Sequence, residues 1–216
     1  MVILGLTGSI AMGKSTAAAS FRRLGVPVYD ADSAVHRLLA KGGQAVPLIA
    51  AAFPGTVVDG VVDRQALGSV VFNEPAALAR LERIVHPLVR AGEGRFLRRR
   101  AAQRARLVVL DIPLLFENGG ARRCDAVVVV SAPAFVQAQR VLSRPGMTLE
   151  RLEGILKRQM PDREKRRRAH FVVETGLGKR HGLRRIAHIV KVMRGKRGRN
   201  WPPRMRLTRW TGKQHA

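Results

Sequence analysis

Apolar positions along this chain fall into two kinds of pattern. Five short, nearly continuous runs, at residues 2–6, 26–29, 107–110, 126–130 and 171–173, are rich in Val, Ile and Leu. Runs of that length, apolar on both faces, predict strands of a parallel sheet covered by helices on either side. Between most of them apolar residues recur at helical spacing, as at 17–24, 76–85, 88–100, 135–142 and 149–159. Strand and helix in alternation predict an α/β fold with a five-stranded parallel sheet flanked by helices. Two gaps are too long for simple crossovers. Residues 33–106 read as an inserted helical lobe. Residues 133–168, rich in Arg and broken by a Pro145–Gly146 turn, read as a helical lid.

The first strand runs directly into G-x-x-x-x-G-K-S, with Gly8, Gly13, Lys14 and Ser15 at the fixed positions and Thr16 behind them. Strand, glycine-bounded loop and helix start are the setting in which this pattern holds polyphosphate. Backbone N–H groups wrap the anion, Lys14 neutralises β/γ oxygens and the Ser15 hydroxyl ligates Mg²⁺. The helix behind it aims its positive end at the same charge. The fold expected is therefore of the P-loop NTPase type. Its nucleotide-binding core comprises residues 1–32, 107–132 and 169–194, and a nucleotide polyphosphate with Mg²⁺ is the expected ligand.

Charge changes this picture at one end only. The net charge is +25, yet residues 175–216 hold 13 Lys and Arg and no acid, which leaves +12 on the other 174 residues. A basic core suits anionic substrates. Residues 195–216 contain Pro202–Pro203, scattered Arg and no apolar periodicity, a composition that predicts disorder. Trp201 and Trp210 among the arginines suggest nucleic-acid contact. A solvated appendage is the simpler reading, so nucleic acid is expected at most as a non-specific partner. A single cysteine, Cys124, allows no intrachain disulfide framework. No apolar run is long enough to span a bilayer, and no basic flank precedes the first strand, so neither a membrane partner nor a signal peptide is expected. A reducing cytoplasm fits these features.

Several residues are candidates for the chemistry. Asp30 and Asp32 follow the second strand, at the edge that faces a bound nucleotide, where a carboxylate can orient a substrate hydroxyl and accept its proton. Asp32 equally fits the cap of the next helix and Asp30 a structural acceptor. Asp111 ends the third strand, where a carboxylate supports Mg²⁺, often through water; an ordinary turn acid is the alternative. Arg140 and Arg144 share a helix face that could meet the phosphates or face solvent. His86, before Pro87, fits packing as well as substrate contact. The run from Arg163 to Arg168 reads as mostly solvated.

Together these motifs resemble bacterial dephospho-coenzyme A kinase over roughly residues 1–178. TGSIAMGKST matches the phosphate loop and VYDAD the second-strand signature. VHPLV at 85–89, DIPLLFE at 111–117, VVVV at 127–130 and RQM…K…AHFVVETG at 158–176 follow in order. The resemblance implies transfer of the ATP γ-phosphate to the ribose 3′-hydroxyl of dephospho-coenzyme A, the last step of coenzyme A formation. It implies that Gly8, Ala11, Met12, Gly13, Lys14, Ser15 and Thr16 bind ATP and that Asp32 is the base. Lys14 and Arg140, the lid arginine, would assist transfer; His86 and Asp32 would contact the acceptor. Ser15 and Asp111 would serve Mg²⁺, and Glu117 is a weaker candidate. In three places the chain departs from the family pattern. Ser9 and Ala11 replace loop glycines, His170 stands where Asp is common, and Glu174–Thr175 replace an Asn-containing turn. Two other readings stay open: a nucleoside or nucleotide kinase of the same fold, and a basic nucleic-acid-binding P-loop protein.

Overall fold

The computed structural model describes residues 1–72 and 74–203. The elements run β1 (Val2–Thr7), α1 (Lys14–Arg23), β2 (Val28–Asp30), α2 (Ala31–Leu39), α3 (Val46–Ala52), β3 (Val57–Val58), β4 (Val61–Val62) and α4 (Arg64–Phe72). They continue with α5 (Pro75–Ala102), β5 (Leu107–Asp111), β6 (Ala126–Ser131), α6 (Ala134–Leu142), α7 (Leu149–Lys157), α8 (Asp162–Arg168), β7 (Phe171–Glu174) and α9 (Lys179–Arg194).

All five apolar runs become strands of one parallel sheet, in the order β2-β5-β1-β6-β7. β1 is central and its six residues are all buried, which is why it reads as an unbroken apolar run. One face packs Val2, Leu4, Leu6, Val109 and Val128 against Phe21 of α1 and Ile186, Ile189 and Met193 of α9. The other packs Ile3, Val108, Leu110 and Val129 against Tyr29, Leu97 and Leu115. Successive side chains of a strand point to opposite faces, so each strand feeds both cores. The chain order reverses on either side of β1, and the crevice at its carboxyl end is the place where such sheets bind ligands. The phosphate loop leaves β1 there.

The region between β2 and β5 has its own core, formed by Leu38, Ile49, Phe53, Val62 and Leu67 with Ala77 of α5. It differs from the expected lobe in two ways. It contains a small antiparallel hairpin, β3–β4, too short for a period-two signal to register. The two helices expected on either side of Pro87 are one 28-residue helix, α5, with Pro87 inside it. Ile84, Val85, Leu88 and Val89 pack against the lobe core on both sides of that residue, so tertiary contact outweighs the one missing N–H. Tyr29 Oη donates to Val89 O at 3.0 Å and ties this helix to β2.

The expectation of disorder for 195–216 fails over residues 195–203. Asp125 Oδ1 accepts hydrogen bonds from Arg199 N at 2.6 Å and from Asn200 N at 3.1 Å. Trp201 lies half-buried against the second sheet core rather than presented for base stacking. Low hydropathy hid these few anchoring contacts. Trp210 and the rest of the expected tail lie outside the described residues. Among the described residues no helix is long and apolar enough to cross a membrane.

The Arg163–Arg168 run is not uniformly solvated either. Lys165 is fully buried in α8, with its Nζ 2.9 Å from Glu117 Oε1. Glu117 also accepts from Met160 N at 2.9 Å. The ion pair is off hydrogen-bonding geometry, so Nζ and Glu117 Oε2 keep unfilled valences in the interior. Burial alone would raise the Glu117 carboxyl, but the Lys165 contact and the backbone bonds outweigh it and hold it below the ordinary value. Lowered in this way, Glu117 stabilises the fold above the usual carboxylate range, and that contribution is lost as pH falls through its folded value. Lys165→Met should therefore cost about 3 kcal/mol in urea unfolding at neutral pH, because it strands a carboxylate. Part of the loss should return on adding Glu117→Gln. An unchanged unfolding midpoint would contradict the pairing.

Candidate active site

The loop between β1 and α1 can approach β6 only because Gly8 has no side chain. A Cβ there would lie 2.3 Å from Val130 Cγ2 and 2.7 Å from Val130 O. At its other end Gly13, with φ 85°, precedes α1, and no side chain caps that helix. The first N–H groups of α1 and its positive end are thus left facing the crevice. Ala11 takes φ 58°, a left-handed conformation that costs a residue with a Cβ about 1–2 kcal/mol. Ser9 is buried and its Oγ has no protein partner. These two departures from the family's glycines load the loop with strain and an unsatisfied hydroxyl.

A cleft of ≈ 630 Å³ opens over this loop. The structure brings onto it Gly8, Ala11, Met12, Gly13, Lys14, Ser15 and Thr16, together with Asp32, Arg140 and Arg144. Lys14 Nζ lies 2.7 Å from Asp111 Oδ1 and 3.9 Å from Asp32 Oδ2. Asp111 is 2% exposed. Burial raises its carboxyl above the ordinary value; Lys14 pulls it back and the nearby Asp30 and Asp32 push it up, with a net rise. Three carboxylates, Asp30, Asp32 and Asp111, thus gather around Lys14, and Arg22 lies 3.9 Å from Asp30 Oδ2.

Asp30 and Asp32 divide their roles differently from the capping alternative. Asp30, not Asp32, caps α2, its Oδ1 accepting from Ser33 N at 2.9 Å. Burial would raise the Asp30 carboxyl, but the Ser33 bonds and the Lys14 and Arg22 charges outweigh it and set it below the ordinary value. Asp32 sits two residues on with its side chain 64% exposed. It borders the loop cleft and also a second cavity of ≈ 370 Å³. That cavity, between α2, α5 and the loop after β5, is walled by Val35, Leu39, Val85, Val89 and Ile112. Besides Asp32, its polar groups are His86, Glu82, Arg90, Asn118 and the buried Glu93, which pairs with Arg123.

Arg140 extends from α6 to the turn after β7. Its Nη2 donates to Thr175 O at 2.8 Å and its Nη1 to Thr175 Oγ1 at 3.0 Å. Glu117 faces Lys165 and Met160 and does not line the loop cleft. His170 Nδ1 accepts from Val127 N at 3.2 Å and serves the β6–β7 edge. Cys124 is buried, which pushes its thiol up to about 12 and keeps it protonated. A larger cavity of ≈ 900 Å³, between α6, α8 and β7, contains none of the loop residues. Sequence reasoning missed Gln137, Gln159 and the Glu93–Arg123 pair. Gln137 lies three positions before Arg140 on α6, and that periodicity was the available signal; Arg144 lies beyond the end of α6 at Leu142, so it does not share a helix face with Arg140 as expected.

A family model described as Dephospho-CoA kinase matches residues 2–178. A protein of Paramagnetospirillum magneticum named Dephospho-CoA kinase is 66% identical over 197 residues, covering 91% of this chain and 93% of that protein. A crystal structure from Thermus thermophilus is 39% identical with a TM-score of 0.77, covering 88% of this chain and 96% of its own. A solved structure named Dephospho-CoA kinase, from Campylobacter jejuni, shares the fold at 23% identity and TM-score 0.60, with 88% and 96% covered.

Proposed function

The chain belongs to the dephospho-CoA kinase family, and from that premise we propose how its residues carry the reaction. The activity is transfer of the γ-phosphoryl group of ATP to the ribose 3′-hydroxyl of dephospho-coenzyme A, giving coenzyme A and ADP. The observation that carries the residue assignment is the position of Asp32. It is a carboxylate shared by the phosphate-loop cleft and the apolar cavity beside it. Donor phosphates lie on one side of it and the acceptor on the other.

ATP binds with its phosphates in the loop of residues 8–16. Backbone N–H groups and the α1 N-terminus meet the oxygens, and Lys14 meets the β/γ charge. The acceptor enters between α2 and α5, the lobe of residues 33–106, where apolar walls and His86 hold it. Asp32 accepts the proton of the 3′-hydroxyl as that oxygen bonds to the γ-phosphorus and the bond to the β-phosphate oxygen breaks. Arg140 and Arg144, on the lid of residues 133–168, stabilise charge on the transferring group. Ser15 and Asp111 fit a largely hydrated Mg²⁺ that arrives with the nucleotide: one hydroxyl and one buried carboxylate, both oxygen donors of the kind this ion takes. When bound, that ion neutralises phosphate charge. We place the reaction in the cytoplasm, which the single buried cysteine supports, with no membrane partner.

Purified protein with Mg-ATP should phosphorylate dephospho-coenzyme A at the 3′ position, read by ³¹P NMR, and leave nucleosides and nucleoside monophosphates nearly untouched. The reverse selectivity would favour the nucleotide-kinase alternative.

A further inference from the structure

Three consecutive carbonyls of the phosphate loop are held by side chains of other elements. Ile10 O accepts from Gln137 Nε2 at 2.9 Å, Ala11 O from Arg140 Nη1 at 3.4 Å and Met12 O from Thr175 Oγ1 at 2.8 Å. In a planar trans peptide the next N–H points opposite to the carbonyl. Fixing these three carbonyls therefore turns the N–H groups of Ala11, Met12 and Gly13 away from Gln137, Arg140 and Thr175. Met12 N closes onto Ser9 O at 3.2 Å, which leaves Ala11 N and Gly13 N directed at the anion. Ile10 N, by contrast, is drawn out of the cradle to Gln159 Oε1 at 3.1 Å.

Thr175 is the hub of these contacts. Its backbone N is fixed to Ser131 O at 2.8 Å, and its hydroxyl accepts from Arg140 Nη1. Its side chain occupies the space beside Gly13, 3.1–3.2 Å from where a Cβ would be. A hydroxyl has one proton to give, and Met12 O, at the shorter distance, takes it. The loop that this hydroxyl steadies is the one in which Ala11 is strained at φ 58°.

We propose that Thr175, with Gln137 and Arg140, is a positioning clasp that holds the phosphate loop in its anion-binding conformation. The clasp is what keeps Ala11 left-handed at a position where a glycine would need no support. The proposal rests on the reading that this loop binds ATP. Released from the clasp, Ala11 relaxes to negative φ and the N–H groups of Ala11 and Gly13 turn away from the anion.

The test is a double-mutant cycle on the full chain, reading the Kd for Mg-ATP by calorimetry. Thr175→Val keeps the side-chain shape and removes the hydroxyl; it should weaken Mg-ATP by about tenfold. Thr175→Ser should stay within about twofold of the parent. Combined with Ala11→Gly, the Thr175→Val penalty should shrink to below about threefold, because glycine adopts the required φ unaided. In Thr175→Val, kcat at saturating ATP should fall less than Kd rises. Gln137→Leu, which frees Ile10 O from a different element, should show the same dependence on Ala11 and replaces Thr175→Val if that variant melts below assay temperature. Unchanged Mg-ATP affinity in Thr175→Val, or an equal penalty with and without the Ala11→Gly substitution, overturns the clasp. A parent protein that binds no Mg-ATP would instead overturn the loop's proposed role.

Discussion

Replacing Lys14 by Met should lower kcat/KM by about 10³-fold, with the loss divided between ATP affinity and kcat. The division follows from what the ammonium touches. It lies within 4 Å of Asp111 and Asp32 and at the mouth of the loop, so its charge meets phosphate both before and during transfer. A second consequence follows from burial. Without Lys14 the Asp111 carboxyl, already raised by burial, rises further beside Asp30 and Asp32. A carboxyl raised in the folded state contributes stability that is present below its unfolded value and lost as pH rises through its folded value. Lys14→Met should thus lose more stability at pH 8 than at pH 5 in urea titrations. Retained ATP affinity in this variant would show that the loop does not hold the donor phosphates.

Asp32→Asn should lower kcat by about 10²–10⁴-fold while changing Mg-ATP affinity less than about threefold. Asparagine keeps the size and the hydrogen-bond reach but accepts no proton. The side chain is 64% exposed and does not cap α2, so the substitution leaves the fold alone. Asp30→Ala behaves differently, because that residue is the cap, and its cost falls on the stability of α2 at about 1 kcal/mol.

The parallel sheet was legible because its strands are buried on both faces, and unbroken Val, Leu and Ile runs are what that environment selects. The phosphate loop was legible because Gly8 and Gly13 answer to steric demands that spacing records. Interruptions were less so. Pro87 signals a helix end, yet packing on both sides of it carries α5 through. The contacts that anchor residues 195–203 come largely from one carboxylate, Asp125, which no periodicity announces. Lys165 reads as one cation in a charged run, and only the fold brings it to Glu117, 48 positions away. The site divides in the same way. Lys14, Asp32 and Asp111 follow strand ends and loop spacing, so the sequence already aims them at one edge. The choice between Asp30 and Asp32 as cap, and the side-chain holds on Ile10, Ala11 and Met12, depend on distances that only three dimensions supply.

A rapid-quench single turnover tests the central claim, that Asp32 joins the donor loop to the acceptor cavity as the proton acceptor. Parent and Asp32→Asn proteins would be loaded with Mg-ATP and saturating dephospho-coenzyme A and the 3′-phosphorylated product followed in time. The account predicts that both proteins bind both substrates and that the variant forms product at least about 100-fold more slowly. Product formed by the variant at the parent's rate would contradict it.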